Sequence, residues 1–477
     1  MKNKKVRTRI APSPTGIIHI GNLRTALYNY LFAKQNNGEF LLRVEDTDRE
    51  RFVEGATDKV FATLKWVGLD WYNAEPIIQS QRLDIYKKYS EQLVKENKAY
   101  YCFCTSERLI KMREEQQAKK LPPRYDGQCC SLSSEEVKDK LKTGEKYVIR
   151  LRVPKNEKIE FDDAVYGKIK YNSNEIDEQV LIKSDGFPTY HLAVVVDDHE
   201  MEITHIMRGE DWLPSTPKHV LLYKAFGWEM PEFIHLPNIL GENKKKLSKR
   251  TGDVSVESFK EQGYLPEALI NYLALLGWNP GTEQEIFNIE ELIKNFDIKK
   301  IHRSGAIFDI KKLDNINGTY VRKLKVKKLQ ELCLPYLSKD YNLKNYDDNY
   351  IEKVIKLEQE RLKKLSDIVE NTKLFFADIF EYEAELLVWK KSDVTETKQK
   401  LLETREKLTE IEAWNKDNLE KEILQFVQEK NLTNGEVLWP LRVALSGQQN
   451  SPGPFEIADV LGKEKSLERI GIAIDKL

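Results

Sequence analysis

The spacing of apolar positions along this chain changes several times, and each change marks an element. Val6 to Ile10 alternates β-branched and charged residues, the two-residue period of a short strand. Pro12, Pro14 and Gly16 then break that period. From Gly21 onward Leu23, Ala26, Leu27, Tyr30 and Leu31 recur at helical spacing, so the order is strand, tight loop, helix. Phe40 to Val44 is an apolar strand running into Glu45, Asp46 and Asp48. Tyr190 to His199 is a near-continuous apolar run and reads as a strand buried on both faces; Ile206 to Trp212 is expected to follow a further short strand. Lys146 to Val153 is strand-like, and Pro266 to Leu276 reads as a helix. From about residue 326 the pattern becomes charged and amphipathic. Leu401, Leu408, Ile411, Leu419, Ile423 and Phe426 fall on roughly helical spacing, which fits a binding domain, a structural bundle or a coiled-coil surface equally well.

A chain of 477 residues exceeds the roughly 250–300 that one core sustains, so several domains are expected. Charged residues make up 32% and the net charge is −1, which excludes a generally basic nucleic-acid binder. RNA contact would need local basic surface. Lys2–Arg9, Lys244–Arg250, Lys299–Arg303 and Arg322–Lys328 offer it, though each also fits a solvated face. No apolar run approaches the ~20 residues of a membrane span, and the basic N-terminus lacks an apolar leader core. A cytoplasmic protein with no membrane partner is expected, and its 5 cysteines are then not expected to form disulfides.

Two segments carry chemistry. In the first, a helix begins just after the Pro12–Gly16 loop, and a helix N-terminus presents unpaired N–H groups that suit phosphate. His19 stands at that entrance as a hydrogen-bond donor, and Gly21 removes a side chain where a base or ribose could lie close. Read alone, the corner is equally a plain strand–turn–helix joint. In the second, Gly241 to Gly252 is a lysine-rich loop suited to the charge that develops on pyrophosphate. Read alone, it is equally a solvated loop or a nonspecific RNA contact.

Taken together, Arg9-Ile-Ala-Pro-Ser-Pro-Thr-Gly16 with His19 to Asn22, and Lys246-Leu-Ser-Lys-Arg250 followed by Asp253 to Val256, resemble the two ATP signatures of class I aminoacyl-tRNA synthetases in their glutamyl variant. The islands 40–48, 190–199 and 206–212 are similar to the same family, and the resemblance covers essentially the whole chain. It implies an α/β Rossmann-like catalytic domain with an inserted acceptor-binding domain, a stem-contact domain and an all-α C-terminal anticodon-binding region. The boundaries are 1–100 and 189–240 for the two catalytic halves, 101–188 for the insertion, 241–325 for the stem-contact domain and 326–477 for the helical region. It further implies a glutamate–tRNA ligase that uses ATP with Mg²⁺, L-glutamate and tRNA(Glu), acts as a monomer and activates glutamate only with tRNA bound.

Carried over residue by residue, the resemblance gives His19, Lys246 and Lys249 catalytic roles, with Lys249 the main transition-state contact. Ala11, Gly21, Asn22 and Ser248 join them around ATP; Asn22 stands where the wider class has a second histidine. Glutamate, with two carboxylates and one ammonium, needs two cationic donors and one anion. Arg9 and Arg208 are expected to supply bidentate forks, Glu45 to accept from the ammonium, and Tyr190 and Ser13 to add polar contacts. Glu45, Asp46 and Asp48 also fit a solvated turn or a metal site, and Trp212 fits wall packing as well as recognition. Cys102, Cys104 and Cys129 match zinc-ligand positions of some family members; Ser131 stands where a histidine ligand is common, leaving Tyr125 or Cys130 as the fourth donor and buried free thiols as the other reading. Three rivals remain: a form that also charges tRNA(Gln), a truncated paralogue that modifies an anticodon nucleoside, and an inactive RNA-binding relative. The long C-terminal region argues against the second, and intact His19, Lys246 and Lys249 against the third.

Overall fold

A computed structural model describes the chain except for residues 1–3, 15, 17, 49–52, 248–254, 377–380 and 391. It divides into two compact units, one of residues 1–261 and 266–310 and one of residues 262–265 and 311–477.

In the first unit, β1 (Arg7–Ile10) leads through the proline loop into α1 (Ile20–Gln35), and β2 (Glu39–Val44) returns parallel to β1 with Arg7 opposite Glu39 and Ile10 opposite Leu42. After α2 (Ala56–Trp66), β3 (Ile77–Ile78) adds a parallel pair to β2, and α3 (Leu83–Lys95) follows. β4 (Ala99–Cys102), β5 (Val148–Leu151) and β8 (Val180–Ile182) form a separate antiparallel sheet. Helices α4 (Ser106–Ala118) and α5 (Ser134–Lys142) lie between its first two strands in sequence. The hairpin β6 (Lys158–Asp163) and β7 (Gly167–Asn172) goes elsewhere. β6 runs parallel to β10 (Glu232–Leu236), which is parallel to β9 (His205–Gly209), giving the order β7-β6-β10-β9. The Thr204 N–H donates to Arg7 O at 3.0 Å, tying the start of β9 to β1. Parallel strands covered on both faces are mostly apolar, and β2 is buried along its whole length, its two charged residues Glu39 and Arg43 each ion-paired.

The run Tyr190–His199 is not a strand. It is the helix α6 (Tyr190–Glu200), followed after β9 by α7 (Thr216–Phe226). A short apolar run fits a buried helix as well as a buried strand, and length decides: 11 residues is a helix of three turns but long for a strand. Helical geometry places Tyr190, Val194, Asp197 and Asp198 on one face, where a strand would have split the two acids. Ile206 to Gly209 also differs from expectation, being the body of β9 rather than a segment after it. The expected strands at Val6–Ile10, Phe40–Val44 and Lys146–Val153 correspond to β1, β2 and β5. Beyond β10, β11 (Ile239–Leu240) pairs with β12 (Ala306–Ile307), and α8 (Val256–Glu261) and α9 (Pro266–Leu275) follow.

In the second unit the regular elements among the described residues are helical. The expected stripe of leucines is split over two helices, Val394–Glu410 carrying Leu401 and Leu408, and Lys416–Glu429 carrying Leu419, Ile423 and Phe426. The Asn415 side chain accepts from Asn418 N–H and starts the second helix, so Ile411 ends the first.

The core of the first unit holds paired charge. Arg43 is fully buried; it donates to Asp198 at 2.7 Å and Glu45 at 3.0 Å and stands 4.0 Å from Asp197. Asp198 also accepts from Arg9 at 3.0 Å, and Asp197 from Arg82, Gln79 and Tyr86 at 2.8–2.9 Å. Burial pushes the Asp198 carboxyl up, but Arg43 and Arg9 outweigh that and hold it below its usual 3.8. Its contribution to stability is therefore present above pH 3.8 and is lost as pH falls through the lower folded value. Replacing Arg43 with Met takes from Glu45 its arginine hydrogen bond and leaves Asp198 to Arg9 alone, and is expected to cost about 3–5 kcal/mol. Removing Lys140 from its exposed pair with Glu145 should cost less than about 1 kcal/mol. Chemical denaturation of the two variants beside the parent protein checks both values.

Candidate functional site

The loop after β1 and the N-terminus of α1 form one wall of a cleft of about 390 Å³. His19 is the N-cap of α1, and its Nδ1 accepts from the Gly21 backbone N–H at 3.1 Å. An accepting nitrogen carries no hydrogen, so the ring proton sits on Nε2. A Cβ at Gly21 would lie 3.0 Å from His19 Nδ1 and Cε1. The glycine therefore makes room for the His19 ring itself, a more local reason than the nearby base or ribose read from the sequence.

The lysine loop is held at both ends. On its leading side, Leu247 N–H donates to Ile239 O at 2.9 Å, and Lys246 pairs with Asp211. On its trailing side, Val256 N–H donates to Ile18 O at 3.0 Å and Ser255 forms a bridge with His19. The trailing flank of residues 248–254 is thus fixed beside the start of α1, and the leading flank is fixed to β11 and Asp211 in the lining of the same cleft. Ser248 and Lys249 lie outside the described residues.

The other expected site residues, Arg9, Ala11, Ser13, Gly21, Asn22, Glu45, Tyr190, Arg208 and Lys246, all line the same cleft as His19. Arg9 is the penultimate residue of β1, Glu45 follows β2, Arg208 is the penultimate residue of β9, and Tyr190 is the first residue of α6 rather than a strand end. Ligands in open α/β sheets sit beyond the carboxyl ends of parallel strands, and three of these four positions follow that rule. The two arginines do not offer open forks. Arg9 spends Nε and Nη2 on Asp198 at 3.0 and 3.4 Å, leaving the Nη1 hydrogens. Arg208 spends Nε on His235 and Nη1 on Tyr190 and His219. Burial pushes Glu45 above its usual 4.5 against the pull of Arg43 and Arg9, so it is an acid that gains from an incoming cation. Trp212 is partly exposed and stacks on Tyr190 with ring centroids 4.2 Å apart. Asp46 faces away from ligand duty, accepting from Ser80 N and Oγ at 2.8 and 2.6 Å.

Sequence reasoning missed Arg43, Asp197, Asp198 and Asp211, as well as the rings around Arg208. The Asp197-Asp198 pair was in view, but a strand reading hid that both acids face buried arginine, Asp198 meeting Arg9 and Arg43 and Asp197 meeting Arg43 and Arg82.

A second cluster lies in the β4-β5-β8 region. The sulfurs of Cys102, Cys104 and Cys129 all lie within 4.8 Å of one another. The Tyr125 hydroxyl is 3.4 Å from both Cys102 and Cys104, and Cys104 is 3.5 Å from Cys129. Two thiolates on one tetrahedral zinc stand about 3.8 Å apart, given Zn–S near 2.3 Å, so the spacing fits. Hydrogen bonds from Cys129 and Tyr125 outweigh burial and pull the Cys102 thiol well below its usual range. Cys130 instead accepts from Arg152 at 2.7 Å, and Ser131 Oγ donates to Gln128 O.

A family model described as the catalytic domain of class I tRNA synthetases (E and Q) matches residues 5–315, and an anticodon binding domain matches residues 328–474. The chain is 47% identical to a glutamate–tRNA ligase of Clostridium botulinum, with 99% of each chain covered. It is 46% identical to one of Clostridium tetani, covering 100% of this chain and 99% of the other. A crystal structure of a glutamate tRNA ligase from Elizabethkingia meningosepticum in complex with its amino acid superposes with a TM-score of 0.90 at 38% identity, over 99% of each chain.

Proposed function

This chain belongs to the class I tRNA synthetases of the glutamate and glutamine group, and on that premise we propose that it joins glutamate to the 3′ end of tRNA(Glu). The supporting observation is the single cleft that unites the His19 corner, the lysine-loop flank and the Arg9–Glu45–Arg208 cavity. The family uses ATP, and Mg²⁺ bound with it would neutralise phosphate charge. The glutamate α-carboxylate attacks the α-phosphorus, forming the mixed anhydride and releasing pyrophosphate. A terminal ribose hydroxyl of tRNA then attacks the acyl carbon, and AMP leaves with the bonding pair.

No protein nucleophile is needed, so the side chains position substrates and balance charge. His19 donates from Nε2 to phosphate beside the positive end of α1. Lys246 and Lys249 neutralise the departing pyrophosphate; Lys246 must first leave Asp211. Ala11, Gly21, Asn22 and Ser248 surround the nucleotide. Arg9 through Nη1, Arg208 through its remaining Nη2 hydrogen and Tyr190 through its hydroxyl hold the carboxylates, Glu45 takes the ammonium, and Ser13 adds a polar contact. Among the described residues no helix is long and apolar enough to cross a membrane.

Zinc fits the second cluster as a structural ion held by Cys102, Cys104 and Cys129, with Tyr125 as the fourth donor. Cys130 and Ser131 are committed elsewhere. Bound there, the metal would staple the start of α4 to the β4-β5-β8 sheet.

Charging assays with separate glutamate and glutamine tRNAs test the main reading: glutamate should be esterified to tRNA(Glu), and failure to charge it rejects the proposal. Replacing Arg9 with Ala should lower glutamate activation on the order of a hundredfold or more, since a charged partner of a carboxylate is lost. Pyrophosphate exchange in the presence of tRNA measures this, and a near-normal rate removes Arg9 from the glutamate site. Protein never exposed to chelator should carry about one equivalent of zinc by metal analysis, and Tyr125→Phe should weaken its retention against a chelator. Zinc well below one equivalent in the unaltered protein rules the site out.

A further inference from the structure

Arg208 is buried, yet its hydrogen-bond partners are all neutral. Nε donates to His235 Nε2 at 3.1 Å, Nη1 to His219 Nδ1 at 3.2 Å and to the Tyr190 hydroxyl at 3.3 Å, and Nη2 to Thr216 Oγ1 at 2.9 Å. An imidazole nitrogen that accepts must be bare, so each ring carries its proton on the other nitrogen. For His235 that is Nδ1, which lies 2.6 Å from Asp163 Oδ2. The same oxygen accepts from the His235 backbone N–H at 3.1 Å, while Asp163 Oδ1 accepts from the Val165 and Tyr166 N–H groups at 3.0 and 2.9 Å. For His219 the protonated nitrogen is Nε2, which lies 3.0 Å from His191 Nδ1. Asp163, His219 and His235 are all buried, so water cannot replace a lost partner.

We propose that Asp163, His235 and His219 are positioning residues for glutamate recognition: Asp163 fixes the His235 tautomer, His191 fixes that of His219, and the two bare nitrogens hold Arg208 so that its last Nη2 hydrogen and the Tyr190 hydroxyl serve the substrate. The proposal rests on the reading of Arg208 as a glutamate contact. Its logic is directional. If the Asp163 Oδ2 position becomes an amide NH₂, it faces two N–H donors, and His235 relieves this by moving its proton to Nε2. An N–H then faces the Arg208 Nε–H, and the guanidinium is displaced. Burial supports the neutral state of the rings, pushing His191 down to about 4 and His219 and His235 below their usual 6.5. Asp163 is supplied by β6, between the two catalytic halves in sequence, so this segment reaches the amino-acid cavity through one imidazole.

The test combines kinetics with ¹⁵N spectra of full-length protein labelled at its 7 histidines. In the unaltered protein, His235 should show a protonated Nδ1 and a bare Nε2; Asp163→Asn should reverse this. Asp163→Asn and His219→Leu should each raise KM for glutamate at least about tenfold, the scale of one charge-assisted hydrogen bond, with KM for ATP within about threefold, a margin well under one such bond. His219→Asn, whose Oδ1 can replace the bare Nδ1, should restore most of the loss. A protonated Nε2 on His235 in the unaltered protein overturns the relay. So does an unchanged glutamate KM in Asp163→Asn when Arg208→Ala raises it, or an equal loss of ATP and glutamate affinity. If the tautomers are as assigned but Arg208→Ala has a normal glutamate KM, the assignment of Arg208 to glutamate falls, and the proposal falls with it.

Discussion

Asp198 is gripped from two strands at once, by Arg9 of β1 and Arg43 of β2, and much of the first unit follows from that pairing. Charges this deep are tolerated only when each finds a partner, so β1, β2 and α6 must arrive in one register or none. Arg9 and Leu41 are opposed across the parallel pair, which brings Arg43 and Arg9 to the same carboxylate. The cleft inherits its geometry from this core. Arg9 cannot move toward a ligand without abandoning Asp198, so the cation is aimed before any substrate arrives, and little ordering remains to oppose binding.

Much of this was legible in the sequence, where spacing was unambiguous. The strand–loop–helix around Pro12 to Asn22 was readable because its period changes from two to about 3.6 across a proline-marked break. The cleft residues were legible through family resemblance, since nothing in composition joins Lys246 to His19 across more than two hundred positions. Tyr190–Glu200 was not legible. Val194, Val195 and Val196 favour a strand by intrinsic preference, and tertiary burial overrode it. That one misreading hid the pivot of the core, because only a helix presents Asp197 and Asp198 to the arginines together. His235, His219 and Asp163 were invisible for another reason: the two histidines pair with Arg208 and Asp163 pairs with His235, and such pairings over 11 to 72 residues leave no periodic trace.

Arg9 and Arg208, two of the three arginines that line the cleft, are treated differently by the fold. Arg9 has a carboxylate directly on its fork, whereas Arg208 has two imidazoles, a hydroxyl of threonine and one of tyrosine. A guanidinium among neutral acceptors keeps its charge unanswered at contact distance, while one already bound to Asp198 offers hydrogen bonds more than net charge. On the proposed assignment, a substrate with two carboxylates meets two unlike cations, which would distinguish its ends by electrostatics as well as by shape.

The balance of buried charge explains how such an arrangement survives without ligand. Arg9, Arg43, Arg82 and Arg208 stand against Glu45, Asp163, Asp197 and Asp198. These eight balance four against four when all are ionised; Arg24, buried in the same cleft, donates instead to the Leu276 and Pro237 carbonyls. Asp163 is kept one ring away from Arg208, close enough to offset its charge through His235 and too far to occupy its contacts. A carboxylate at the cleft completes the guanidinium directly. On the proposed assignment of Arg208 to a substrate carboxylate, a neutral amide of the same shape would leave the guanidinium charge unpaired, and the site would favour the acid by pairing and not by size.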